Sequence, residues 1–453
     1  MITAAAWAGK KFAVLGLARS GAATVRALLA GGAQVVAWDG DEARRSPSLR
    51  LRGEGRGEGT SSSSSIAPAT APLPTLSPMG ERALTFVDPL TIDLTGFDGV
   101  VVSPGVPLNR HPIAQHAGGV PIIGDIELFA QARADLPPHK VVGITGTNGK
   151  STTTALIHHI LTQAGVPARM GGNIGLPILA QDPLPGGGVY VLELSSYQID
   201  LTTSLDCDVA VLLNITPDHL DRYAGFEAYA ASKARLFAMQ SAGHAAIVGT
   251  GDATSAAIAD TLPHAIRIAV PADALAFGPA LAGPHNAQNA LTAIAVCEAL
   301  GLDADTIGAG LQSYRALPHR MAHVADLNGV AYVDDSKATN PDSTAPALSA
   351  FGRIHWIVGG LAKSDDLDAC RPGFGNVVRA YTIGTAAERF AELLAPDMAV
   401  EIAGTLDAAV RSAAEQAQPG DTVLLSPACA SFDQYSDFEA RGRAFAAAVE
   451  ALR

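Results

Sequence analysis

Short apolar runs separated by helix-forming stretches recur along almost the whole chain, and this alternation limits what it can fold into. Residues 11–17, 34–38, 99–103, 140–145, 189–194, 209–215, 330–333, 354–359 and 422–426 read as buried strands. Residues 22–30, 152–164, 288–299 and 405–416 carry Ala/Leu-rich helical patterns between them. Strands joined through helices build right-handed βαβ units, so the expected class is α/β with mainly parallel sheets. In such sheets ligands bind beyond the carboxyl ends of the strands, and the residues following each strand are where chemistry is expected.

A chain of 453 residues corresponds to about three domains at roughly 150 residues each. Prolines mark two linkers, ADLPPH at 134–139 and ALPHR at 316–320. The expected domains are 1–137, 138–318 and 319–453: an N-terminal Rossmann-like domain, a central P-loop ATPase-like domain and a C-terminal Rossmann-like domain. Residues 46–82 are rich in Gly, Ser and Pro and lack aromatics. They cannot bury enough apolar surface to offset chain entropy, and are expected to form a disordered surface insertion.

Asp and Glu outnumber Lys and Arg by 44 to 31, giving a net charge of −13. That balance argues against general nucleic-acid binding while leaving room for one local nucleotide site. Cys207, Cys297, Cys370 and Cys429 lie far apart with no CxxC or CxxH pairing, which excludes a disulfide scaffold or zinc ribbon and fits a reducing cytosol. No apolar run approaches the ~18 residues of a membrane helix, and the start lacks the basic segment of a secretion signal. The expectation is a cytoplasmic monomer acting on small molecules, with neither membrane nor nucleic acid as partner.

GITGTNGKSTT, residues 143–153, follows a strand and opens a helix. A glycine loop there presents backbone N–H groups and a positive helix end to phosphate oxygens. Lys150 would neutralise β/γ-phosphate charge, and the Ser151 hydroxyl suits Mg²⁺. The match to GxxxxGK[ST] is not literal, because Ile144 stands where the first Gly belongs, with Gly143 and Gly146 on either side. A triphosphate needs metal, and acidic groups should end the neighbouring strands. Glu193 ends VYVLE, and Asn214-Ile-Thr-Pro-Asp218-His219-Leu-Asp221-Arg222 follows the next strand. Glu193 and His219 together favour a metal site over a buried carboxylate and a core histidine. Near the start, Gly16-Leu17-Ala18-Arg19-Ser20-Gly21 is an imperfect GxGxxG with Ala18 at its centre, and Asp39 ends the second strand, about where a ribose-binding acid belongs.

Taken in order, TGTNGKST, LELSSYQ, NITPDHLDRY, GPHNAQN, DDSKATNP and SPACASFDQY make the chain resemble the Mur ligases of peptidoglycan synthesis. The resemblance spans nearly the whole chain apart from 46–82, where the family's loop is short. It implies an ATP-dependent amide-bond ligase that adds D-glutamate to UDP-N-acetylmuramoyl-L-alanine. ATP would phosphorylate the alanine carboxylate, the amine of D-glutamate would attack the acyl phosphate, and phosphate would leave. The protein's task is then to position three substrates and screen their charge; Lys150, Lys337 and Lys363 lie in or near the matching motifs.

The resemblance also implies residue roles. Gly146, Thr147, Asn148, Gly149, Lys150, Ser151 and Thr152 would hold the phosphates of ATP, Asn286 and Asn289 its adenine side, and Arg320 and Asp335 its ribose and phosphates. An N-cap role is the plain alternative for Asn286 and a hinge salt bridge for Arg320. Ser151, Glu193, His219 and Lys233 would surround two Mg²⁺ ions, with Lys150, Glu193, His219 and Lys233 catalytic. Lys233 matches a lysine that is carbamylated in the family, although a lysine in an amphipathic helix is ordinarily a solvated surface group. Leu17, Ala18, Arg19 and Ser20 would wrap the diphosphate and uracil, with Asp39 near the uracil. Ser103 would be a further contact, unless SPG is simply a turn. Asn173 and His219 would meet the muramoyl-alanine end. Thr339 and Lys363 would contact one carboxylate of D-glutamate, and Ser431 and Phe438 the other, Phe438 through its backbone. The plain alternative for Lys363 is a surface-loop lysine.

Two rivals stay open on sequence. A folylpolyglutamate synthase-like ligase would share the phosphate loop and glutamate addition. An NAD-dependent oxidoreductase would rest on GLARSG and Asp39 but would leave the phosphate loop, DHLDR and HNAQN unexplained.

Overall fold

The computed structural model of the chain describes residues 1–45, 83–218, 222–271, 277–278, 280–281, 284–363 and 366–453. The insertion expected at 46–82 lies outside the described residues. Strands β1 (Lys11–Leu15), β2 (Gln34–Trp38), β3 (Leu84–Phe86), β4 (Gly99–Val102) and β5 (Ile122–Ile123) form a parallel sheet in the order β3-β2-β1-β4-β5. Strands β6 (His139–Thr145), β7 (Ala168–Gly172), β8 (Gly188–Glu193), β9 (Val209–Leu212), β10 (Ala245–Gly249) and β11 (Ile266–Ile268) form a second, ordered β11-β10-β9-β6-β8-β7. Strands β12 (Ala322–Leu327), β13 (Val330–Asp334), β14 (Ile354–Gly359), β15 (Val377–Ile383), β16 (Ala399–Gly404) and β17 (Thr422–Leu425) form a third, ordered β12-β13-β17-β14-β15-β16. Within it β12 is antiparallel to β13, while the other pairs run parallel. The α/β class with mainly parallel sheets is therefore what the sequence requires.

The reason lies in where apolar runs can go. Every residue of β4, β8, β9, β14 and β17 is buried, as expected for strands covered by helices on both faces. In β14 the side chains alternate between two apolar clusters: Trp356 and Val358 pack with Leu348 and Phe390, and Ile357 packs with Tyr381, Leu406 and Phe445. The first sheet buries Ala13, Leu15, Val100 and Val102 against Ile113.

By contacts the chain divides into two compact units, Met1–Thr145 with Gly165–Ala210 and Ala231–Ala245, and Gly146–Ala164 with Val211–Ala230 and Ala246–Arg453. The first contains the first sheet, and the second contains the third. One expectation about the phosphate loop is corrected here. Gly143 belongs to β6, and a Cβ on it would lie 2.6 Å from Cys207 Sγ; the glycine loop begins only at Gly146.

Candidate active site

In the second unit, the chain after Thr145 turns through Gly146–Gly149 and enters the helix Lys150–Gln163. Gly149 is the N-cap, with φ 85°, a left-handed conformation that favours glycine. No side chain caps this helix, so its first amides are left to whatever sits above them. Asn214 shapes the loop: its carbonyl accepts from Thr147 N (2.9 Å) and its Oδ1 from Asn148 N (2.9 Å). Those two amides are thus spent on the loop itself, a correction to the simpler picture of a cradle whose every N–H faces phosphate. The Lys150 ammonium folds over the loop and donates to the carbonyls of Gly146 (2.8 Å) and Thr147 (2.7 Å). Ser151 is buried at the helix start.

Beside this loop is a cavity of about 320 Å³. Its lining includes Asn148, Gly149, Thr152, Asn286, Asn289, Arg320 and Asp335, seven of the residues assigned to ATP from the sequence. Asn289 donates to Asn286 Oδ1 (3.3 Å) and accepts from Thr153 Oγ1 (3.2 Å), so the two amides do share a helix face. The helix begins at Pro284, which removes the N-cap alternative for Asn286. Asp335 is buried and accepts from Ser426 Oγ (2.7 Å) and Met321 N (3.1 Å); burial pushes its carboxyl up to about 7. Asn214, Gln288, Tyr314 and Asp342, on the same wall, were not singled out from sequence as nucleotide contacts. Only their arrival at one cavity brings them together.

Lys363 is no loose surface lysine. Its ammonium pairs with Asp218 (3.1 and 3.4 Å), whose carboxylate also accepts from Asn340 Nδ2 (3.3 Å). Asn340 in turn caps the helix Pro341–Ala350 and reaches Asn148 Oδ1 (3.4 Å), connecting the DDSKATNP segment to the phosphate loop. Thr339 precedes it. Ser431 is buried after β17, and Phe438 opens the helix Phe438–Glu450, capped by Asp437, with the Lys337 ammonium 3.8 Å from its ring centroid. Asp218 stood in the sequence motif, but its pairing with Lys363 could not be read there, since 145 residues separate them.

In the first unit, Glu193 ends β8, fully buried, and accepts from Asn173 Nδ2 (3.0 Å). Lys233 is also buried, at 1 % exposure, which overturns the solvated-surface alternative: lysines are almost never this buried as bare cations without compensation. At the amino-terminal turn, Gly16 has φ 89° and the helix Arg19–Ala30 starts after Ala18 without a side-chain cap. Asp39 accepts from the amides of Leu17 (2.6 Å) and Asp41 (2.9 Å), so its carboxylate shapes the turn. Ser103 Oγ donates to the Gly16 carbonyl (2.9 Å), and the Ser103 carbonyl accepts from Val106 N (3.0 Å). The SPG turn is real, and the serine braces the glycine turn as well. Arg19 is exposed and donates to the Gly175 carbonyl (3.0 Å); Ala18 and Ser20 lie on the same outer edge.

His219 and Asp221 lie outside the described residues. Among the described residues, no group of three or more His, Cys, Asp or Glu is arranged to hold a metal. Mg²⁺ with a nucleotide asks for less: one or two protein oxygens, the rest being phosphate and water; the Ser151 hydroxyl in the second unit and the Glu193 carboxylate in the first are each oxygen donors of that kind. All four cysteines are free and buried. Among the described residues no helix is long and apolar enough to cross a membrane.

Two domain families match this chain: the Mur ligase middle domain over residues 144–270 and the Mur ligase glutamate ligase domain over 319–429. Solved structures share the fold at low identity. UDP-N-acetylmuramate–alanine ligase MurC of Thermotoga maritima superposes with a TM-score of 0.60 at 15% identity, covering 98% of this chain and 100% of that one. MurF ligase of the same organism, in complex with ADP, gives 0.57 at 16%, covering 79% and 90%. Closer in sequence are the UDP-N-acetylmuramoylalanine–D-glutamate ligases of Novosphingobium aromaticivorans, 60% identical over 100% of this chain and 97% of that protein, and of Sphingopyxis alaskensis, 57% identical over 100% of both. The chain belongs to this family of D-glutamate ligases within the Mur ligases. It is accordingly an ATP-dependent ligase of peptidoglycan-precursor synthesis, and the folylpolyglutamate synthase and oxidoreductase alternatives fall away.

Proposed function

We propose that the chain joins D-glutamate to UDP-N-acetylmuramoyl-L-alanine in the cytoplasm, driven by ATP, with the work shared among domains 1–137, 138–318 and 319–453. The observation that supports the nucleotide assignment is the cavity where Asn148, Gly149, Thr152, Asn286, Asn289, Arg320 and Asp335 converge. A carboxylate is a poor electrophile, and transfer of the γ-phosphoryl group gives the alanine carboxyl a leaving group. Uncapped amides at the start of the helix Lys150–Gln163 steady the phosphates, and Lys150, now over the loop carbonyls, follows the transferring charge. Asn286 and Asn289 read the adenine edge; Arg320 and Asp335 hold the ribose and phosphates.

Leu17, Ala18, Arg19 and Ser20 hold the UDP diphosphate and uracil with Asp39 and Ser103, and Asn173 and His219 meet the muramoyl-alanine end. Thr339 and Lys363 take one carboxylate of D-glutamate, Ser431 and Phe438 the other. Ser151, Glu193, His219 and a carbamylated Lys233 are the groups that would hold two Mg²⁺ ions, whose chemistry when bound is to screen phosphate oxygens. Carbamylation would convert a buried cation into an anion that can support metal, which gives the burial of Lys233 a purpose. Lys233→Ala is expected to abolish turnover, with partial return on adding a short carboxylate; full activity of the alanine variant removes this role.

The deciding experiment measures phosphate release with ATP, Mg²⁺ and UDP-N-acetylmuramoyl-L-alanine, with and without D-glutamate. Release that depends on D-glutamate supports the reading, and release indifferent to it, or none, overturns it.

A further inference from the structure

Among the described residues, Arg441 is the third-largest of the fully buried side chains, at 1 % exposure. It stands one turn into the helix Phe438–Glu450. Its Nε donates to Ser336 Oγ (2.9 Å), one terminal nitrogen donates to the carbonyls of Ser336 (2.8 Å) and Cys429 (3.0 Å), and the other to Ala430 (3.3 Å). Ser336 Oγ in turn donates a hydrogen bond to the Phe438 carbonyl (2.9 Å). Ala430 exchanges two backbone hydrogen bonds with Leu361 (2.9 and 3.0 Å), two residues before Lys363. One guanidinium therefore ties together the segment after β13 that leads to Thr339, the segment after β17 that leads to Ser431, the segment after β14 that leads to Lys363, and the helix that begins with Phe438.

We infer that Arg441 is a positioning residue for the amino-acid pocket, setting the spacing of the four groups that grip the two carboxylates of D-glutamate. The inference rests on the proposed D-glutamate site. A core filler would serve packing more cheaply: a buried arginine is desolvated, and here that pushes the guanidinium down to about 10. What arginine offers instead is a planar fork of five donors, able to fix several carbonyls at once in a way lysine cannot. Arg441 touches no substrate in this role; its influence passes through Ser336, Cys429 and Ala430.

The test compares Arg441→Lys and Ser336→Ala with the unaltered full chain, measuring KM separately for D-glutamate, ATP and UDP-N-acetylmuramoyl-L-alanine, with thermal melting alongside. Arg441→Lys should raise the D-glutamate KM about tenfold and Ser336→Ala about threefold, with the other two constants moving less than about twofold. A folded Arg441→Lys with an unchanged D-glutamate KM, or with all three constants moving together, overturns the inference. Should Arg441→Lys fail to fold, Ser336→Ala decides by the same criterion. The outcomes separate from failure of the underlying reading, because that would already be visible as phosphate release indifferent to D-glutamate in the unaltered enzyme.

Discussion

The chain has two glycine turns built on the same plan, at Gly16–Gly21 and Gly146–Lys150, and they hold their cations differently. Each follows a buried strand, contains a glycine with φ near 90° (89° and 85°), and opens a helix with no side-chain cap. Several other helices close that end, with Asp252, Asp303, Asn340 and Asp437 capping theirs, although Asp125–Ala132 and Ala387–Leu394 also start without a side-chain cap. Leaving a helix start uncapped keeps amides for an anion, which both turns are proposed to bind. In the first turn the basic group, Arg19, is exposed at the rim. In the second, Lys150 lies over the loop itself. A phosphate that is only held needs a counter-charge at its edge, whereas one that is transferred needs a charge able to travel with it.

Exchanging the cations tests that contrast most severely. Lys150→Met should lower kcat/KM by about a thousandfold or more, while Arg19→Met should raise the KM for the UDP substrate about tenfold and leave kcat in place. Equal losses in kcat would break the comparison. The glycines come next. A Cβ at Gly149 would sit 2.3 Å from Asn289 Oδ1, and one at Gly16 would sit 2.9 Å from Ser103 Cβ and Oγ. By calorimetry, Gly149→Ala should weaken ATP binding and Gly16→Ala the UDP substrate, each by about ten- to a hundredfold and each sparing the other ligand. The smallest effect concerns Asp125, which lines a small recess with Ser20, Gly21 and Ser103. Burial pushes its carboxyl from 3.8 up to about 6, so the folded state keeps a proton that the unfolded chain releases. That contribution is full below about pH 4 and lost as pH rises through about 6. Asp125→Asn should flatten the fall in unfolding free energy across this window by roughly 1–3 kcal/mol; an unaltered slope would show that Asp125 does not titrate there.

Sequence reading found most of the sheet interiors and missed their borders. All nine expected strands exist, and they are β1, β2, β4, β6, β8, β9, β13, β14 and β17. Eight strands were not anticipated: those at the edges, β3, β5, β7, β11, β12 and β16, and two interior ones, β10 and β15, each only partly buried at its amino-terminal end. A strand buried along its whole length must be apolar on both faces, which leaves a continuous run; an edge strand such as AVEIAG is partly solvated and takes its form from its neighbour's hydrogen bonds. The site divides in the same way. Gly149 and Asn289 were legible because a local motif carries them, while Asp218 with Lys363, and Arg441 with Ser336, are partners across the chain that no spacing rule encodes. Lys233 shows the opposite case, where helical periodicity suggested a solvated face and tertiary packing buried it.

The cavity beside the phosphate loop is walled by five side-chain amides, from Asn148, Asn214, Asn286, Gln288 and Asn289, and by two carboxyls, Asp335, which burial pushes up to about 7, and Asp342, which burial also raises. Amides keep the same donors and acceptors at any cellular pH, whereas the two carboxyls lose charge as the medium acidifies. Acidification therefore reaches this wall through its carboxyls and leaves the hydrogen-bonding pattern of its amides in place.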